Sequence, residues 1–278
     1  MTPIDTSTPA GATQPANPPG GRSLLRSVAV PVEHGGWGLT LEPVLLGLVV
    51  SWSAAGMCLG VAAVVAFLAR TPLKVVLVDA RRRRFLPRTR VARRVLAVEA
   101  AAMVALVAGA LALGPPAFWT PLIVIAPLVG TELWFDMRSR SRRLIPELAG
   151  AVGMSGVAAV VAIAGGSGTR LAAACWLVLA ARSITAIVTV RDLVGHLHSR
   201  PRHPLVVLSA DLAAVAIAGT AVLIDQATAL GAVAVVVAIA IQRALNLRSA
   251  PRAVVIGIRQ TLLGLGVVLA TGIGVLWT

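Results

Sequence analysis

Apolar runs long enough to cross a bilayer follow one another through this 278-residue chain. A hydrocarbon core about 30 Å thick takes roughly 20 helical residues. Nine segments meet that length, at approximately 36–53, 56–79, 95–113, 117–136, 144–165, 171–192, 205–224, 227–243 and 254–277. The short alternating strands of a transmembrane β-barrel are not present. Only 13% of the residues are charged and 57% are hydrophobic, where a soluble domain carries about 25% charge. An ordinary soluble globule, a disordered chain and a disulfide scaffold are thereby excluded. The fold class expected is all-α, a polytopic membrane bundle of about nine helices.

Residues 1–25 are rich in Pro, Thr, Gly and Ala and hold no apolar stretch. They read as a disordered tail, and the lack of an apolar core near the start argues against a cleaved signal peptide. Residues 26–278 then form a single transmembrane domain. Cys58 and Cys175 each sit inside an apolar run without CxxC spacing, as small core residues do. Small residues at Gly47, Gly60, Gly109, Gly130, Gly156 and Gly219 are where helices are expected to approach closely.

The basic residues sort by loop. Twenty of the 25 Lys and Arg fall in alternate connections and before the first segment, among them the run Arg81, Arg82, Arg83, Arg84, Arg88, Arg90, Arg93 and Arg94. The other connections hold Arg170 alone. The positive-inside rule places the N-terminus in the cytoplasm and the C-terminus outside a cell membrane. The same charge attracts anionic lipid head groups, so the formal net charge of +14 needs no nucleic-acid partner.

Charged groups at membrane depth are costly and mark sites. Glu33, His34, Glu42, Arg70, Lys74, Asp79, Glu99, Glu132, Asp136, Glu147, Arg182, Arg191, Asp192, Asp211 and Arg259 all fall on the cytoplasmic half of the bundle. A polar cavity open to the cytoplasm and closed outward is the expected consequence. Ala69-Arg70-Thr71 and then Asp79 is echoed by Ala181-Arg182-Ser183 and then Asp192, as a repeat or as a chance of an Ala- and Arg-rich chain. Glu132 and Asp136 share a helix face, and an arginine or a metal could separate their charges. His196 and His198, in the loop after the sixth segment with His203, suit either the membrane interface or a haem or metal. No P-loop, GxSxG, HExxH or dinucleotide fingerprint is present.

The block Pro31-Val32-Glu33-His34-Gly35-Gly36-Trp37-Gly38, with Arg142-Arg143-Leu144 to Glu147-Leu148 and Thr189-Val190-Arg191-Asp192, resembles the YwiC-like membrane protein family over residues 28–278. That family implies an integral membrane protein without a settled activity. More distantly, nine helices with candidate groups ending the second and sixth look like the UbiA superfamily of intramembrane prenyltransferases. Leu133-Trp134-Phe135-Asp136-Met137-Arg138 through Gly150 looks like the connection of helices four and five there. That resemblance implies a central cavity faced by the second and sixth segments, an isoprenoid or quinone-type lipid partner and Mg²⁺. Asp79 and Asp192 match its two aspartate motifs. The second aspartates are absent, since Asp79 is followed by Ala80 and four arginines and the position four after Asp192 is His196. Two carboxylates are few for the metal cluster that a diphosphate needs, so metal and cofactor stay open.

Two functions from different classes follow. In a divergent transferase acting on a lipidic or prenyl substrate, Glu33, His34, Asp79 and Asp192 are the catalytic candidates. Arg70, Lys74, Arg182, Arg191, Glu132, Asp136 and Glu147 would then bind the substrate. The alternative is a non-catalytic lipid- or cofactor-binding protein or a transporter using the same cavity.

Overall fold

The structure is a computed structural model and describes residues 36–138, 143–246 and 253–278. The tail at 1–25, the residues Glu33 and His34, and the loop arginines Arg140, Arg142, Arg248 and Arg252 lie outside the described residues. Within them the chain forms ten α-helices and no strand. These are α1 (Gly36–Val50), α2 (Ala54–Arg81), α3 (Pro87–Leu113), α4 (Leu122–Met137), α5 (Leu144–Ser155), α6 (Val157–Ala164), α7 (Thr169–Leu197), α8 (Pro204–Ile224), α9 (Ala229–Asn246) and α10 (Ala253–Leu276). Short 3-10 turns at Pro116–Trp119 and Gln226–Thr228 lead into α4 and α9. Eight helical stretches are long and apolar enough to cross a membrane. The protein is a multi-pass helical membrane bundle.

Helix starts follow local chemistry. Proline stands at the first position of α3 and of α8, where its missing N–H costs nothing. Ser53 caps α2 by accepting from the Gly56 N–H at 2.8 Å. Three expectations need correction. The first segment is a helix of only 15 residues, shorter than the bilayer ruler. The second connection is much shorter than the charge pattern implied, because α3 begins at Pro87 and takes Arg88, Arg90, Arg93 and Arg94 into its first turns. Likewise α7 continues to Leu197, so His196 belongs to its last turn rather than to a loop. In both cases arginine and leucine are good helix formers, and an apolar window cannot see a helix that runs past the hydrocarbon.

The fifth segment is one span broken at Gly156. Its N–H turns back to Gly153 at 3.1 Å, and the freed carbonyl of Val152 accepts the Trp176 indole N–H at 2.8 Å. A Cβ at Gly156 would stand 2.7 Å from Ile125 and 2.8 Å from Trp176, so only glycine lets α4 and α7 close over the break. In lipid such a carbonyl has no water to turn to, and the tryptophan supplies the donor.

Helix α7 is the hub, packing against α1, α5, α6, α8, α9 and α10. Helices α2 and α3 form an antiparallel hairpin, and α3 is mostly exposed to the bilayer side. The expected facing of the second and sixth segments takes an indirect form: α1 and α6 each pack against both α2 and α7. Of the six glycines expected at close approaches, Gly47 lies on Val161 and Ala158 and Gly60 on Val44. Gly130 and Gly219 have nothing within 4 Å. Trp37 packs edge-on against Phe67 at 5.3 Å, docking the start of α1 on α2.

Candidate functional site

Sequence placed the charges at one end of the bundle, and the structure sorts them into one half-buried group, one buried group and a rim. The first group joins α2 to α4. Arg70 reaches Glu132 at 2.7 Å through Nη2 and Asp136 at 3.2 Å through Nε. Lys74 Nζ stands 3.3 Å from the other Asp136 oxygen. Asp136 is 1% exposed, and the Glu132 carboxylate lies where a Cβ on Gly150 of α5 would be. The spacing of Arg70 and Lys74 matches that of Glu132 and Asp136 on helix faces four residues apart. Among the described residues two cations meet two carboxylates.

Asp79 ends α2 and serves the turn into α3. It accepts from Arg88 Nη2 at 3.1 Å and from the Thr89 hydroxyl. The Leu86 N–H donates to the same hydroxyl at 3.2 Å. Asp192 accepts the His203 N–H at 2.9 Å, tying α7 to the start of α8. The two aspartates are therefore each engaged within their own connection. Glu147 and Arg191 form a more exposed pair at 2.9 Å on the rim. His196, His198 and His203 are exposed. Among the described residues, no three His, Cys, Asp or Glu side chains gather as metal ligands.

The second group lies where α1, α7, α9 and α10 meet. Arg182 is 1% exposed, deep in α7. Its Nη2 donates to the Gln260 backbone carbonyl and stands 3.7 Å from Glu42 Oε1. Its Nε and Nη1 are buried and have no hydrogen-bond partner among the described residues. The Glu42 carboxylate occupies the space where a Cβ on Gly264 would be. Gln260 Nε2 donates to Gln242 Oε1 at 3.2 Å, while Gln242 Nε2 and Gln260 Oε1 have no partner among the described residues. Beside them Asp211 accepts from Thr185 and from Arg243. The unsatisfied guanidinium is the chemical anomaly of the bundle, since a buried N–H without an acceptor costs about 1–3 kcal/mol.

Among the described residues, charges expected to line a cavity at this end are bonded to one another. Gln242, Gln260, Thr185 and Arg243 do not stand among the site residues expected from sequence. For the two glutamines a signal is available there, since an amide inside an apolar segment is nearly as anomalous as a charge.

Residues 30–163 match the family model described as YwiC-like protein. Over that span the chain is similar to this family. The match covers less than the resemblance read over 28–278, and it divides the site. The whole α2–α4 charge group and Glu42 fall within the YwiC-like span, whereas Arg182, Gln242 and Gln260 lie beyond it. No curated protein and no solved structure matches the chain.

Proposed function

We propose that this protein binds an anion-headed lipidic ligand within the membrane, with Arg182 receiving the anion. One observation carries the reading: a guanidinium 1% exposed, whose Nε and Nη1 have no acceptor among the described residues. Arginine cannot discharge by losing its proton, and among the described residues the carboxylate in ion-pair range, Glu42, stands 3.7 Å away. A carboxylate, sulfonate or phosphate oxygen would satisfy the orphan donors in charge-assisted geometry. An apolar tail of isoprenoid or quinone type would lie among the surrounding apolar helices.

A transferase built like the UbiA superfamily would need Asp79 and Asp192 free for Mg²⁺. Both are engaged, with Arg88 and Thr89 and with the His203 amide, and this favours binding or transport over prenyl transfer. Arg70 and Lys74 are held by Glu132 and Asp136, so Arg182 is the strongest substrate-binding candidate. In our reading the arginine-rich end faces the cytoplasm and anionic lipid heads, and the C-terminus lies outside. Single cysteines at exposed Arg83 and at Thr278 test that orientation. An impermeant thiol reagent added outside intact cells is expected to label the second alone, and labelling of the first overturns it.

Decanesulfonate, decanol and sulfate separate the ligand classes, titrated against the purified full chain in nanodiscs. Saturable binding is expected for decanesulfonate alone. Arg182→Lys keeps the charge beside Glu42 but removes the fork of donors, and a loss of at least tenfold in affinity is expected. Equal binding of decanol, or an unchanged affinity in Arg182→Lys, refutes the assignment.

A further inference from the structure

Glu42 and an arriving anion would compete for one cation. Among the described residues Arg182 is the cation within ion-pair distance of Glu42. The elements packed against α1 offer no substitute. Helix α2 carries the thiol Cys58, Arg70, Lys74 and Asp79, the last three held by Glu132, Asp136 and Arg88, and Arg81, which donates to the Met137 carbonyl. Helix α5 carries Glu147, paired with Arg191 of α7, and α6 carries no titratable group. Beyond those, α7 carries Asp192, bonded to the His203 amide, Arg170, which donates to the Ile224 carbonyl, the thiol Cys175 and the exposed His196. Helix α10 brings Gly264 against the Glu42 carboxylate, and its Arg259 lines a crevice instead.

That crevice lies between α7, α9 and α10, with Asn246 and Arg259 half-buried in its wall and Gln242 and Gln260 beside them. Its free volume is about 10 Å³, the room of a single water. Gln242 Nε2 and Gln260 Oε1, the donor and acceptor without partners among the described residues, belong to residues of this wall. The backbone carbonyl of the same Gln260 holds Arg182. The crevice, whose wall also holds Leu193, Leu245, Ile256 and Leu263, thus places room for one water against Gln260, the residue whose carbonyl holds Arg182.

We infer that Glu42 takes up one proton when an anion binds at Arg182, so that the site admits the anion and a proton as a neutral pair. The inference rests on the anion-binding reading. One guanidinium cannot neutralise two anions in an apolar interior, and a buried carboxylate deprived of its counter-charge takes a proton rather than stay ionised. The proton comes from solvent and is held on the Glu42 carboxylate. It leaves again when the anion departs and the ion pair with Arg182 re-forms.

Decanesulfonate is the probe of choice because its own charge does not change with pH. Calorimetry on the full chain in nanodiscs, repeated in buffers of different ionisation enthalpy, counts protons without any variant. One proton taken up per decanesulfonate is expected, with affinity rising about tenfold for each unit of acidification while Glu42 starts ionised. Glu42→Gln is expected to bind with no pH dependence, as tightly as the wild type does in acid. Saturable binding with no proton uptake overturns the coupling and leaves the anion site standing. A pH dependence undiminished in folded Glu42→Gln overturns Glu42 as the acceptor. Absence of decanesulfonate binding at every pH overturns the anion site and the coupling together.

Discussion

Replacing Asp136 with alanine is expected to destabilise the bundle by about 3–5 kcal/mol, the usual cost of removing one partner from a buried ion pair. The side chain is 1% exposed and is shared by Arg70 and Lys74. Among the described residues its loss leaves two cations, Arg70 and Lys74, facing one carboxylate, Glu132. The partner variant tells the cause apart from simple loss of packing. Lys74→Met combined with Asp136→Ala restores a balance of one cation, Arg70, against one carboxylate, Glu132, and is expected to recover most of the lost stability. Thermal unfolding of the three proteins in nanodiscs measures it. A double variant no more stable than Asp136→Ala would show that charge balance is not what holds α2 to α4.

Arg182→Gln is expected to cost a similar ~3–5 kcal/mol, through the carboxylate that it strands. Glu42 has a 5% exposed side chain and no second cation in reach among the described residues. The double variant Glu42→Gln with Arg182→Gln removes both charges and leaves amides able to hydrogen-bond, so it is expected to approach wild-type stability. It is also expected to lose decanesulfonate binding. These two outcomes together separate the roles of the pair: stability follows the balance of charge, and binding follows the presence of the guanidinium. A double variant that folds well and still binds would remove Arg182 from the site.

Both predictions concern residues that are legible as anomalies in the amino-acid sequence itself. Arg70, Glu132, Asp136 and Arg182 stand out because a charge inside an apolar run is costly unless it is partnered. Their partners are less legible. Arg70 and Asp136 are 66 residues apart, and Arg182 and Gln260 are 78 apart. No spacing rule connects such positions, since the pairing depends on which helix faces which. The match between the Arg70 and Asp79 stretch and the Arg182 and Asp192 stretch suggests like roles. In the bundle Arg70 is saturated by two carboxylates, whereas Arg182 has one at 3.7 Å and two nitrogens unpartnered among the described residues. The difference arises because α4 offers two carboxylates one helical turn apart, and α1 offers one.

What the sequence determined by itself is everything set by one helix and its solvent. Apolar length gives membrane-spanning helices, and the absence of strand periodicity gives the class. The tertiary structure alone decided which charges neutralise one another, that the break at Gly156 leaves the Val152 carbonyl to Trp176, and that Asp79 and Asp192 serve their own turns. It also decided that Gln242 and Gln260 meet beside Arg182. The physical reason is the bilayer. It rewards any sufficiently apolar helix alike, so burial in lipid specifies that helices form. The order in which they pack is left to small residues, hydrogen bonds and ion pairs between distant parts of the chain.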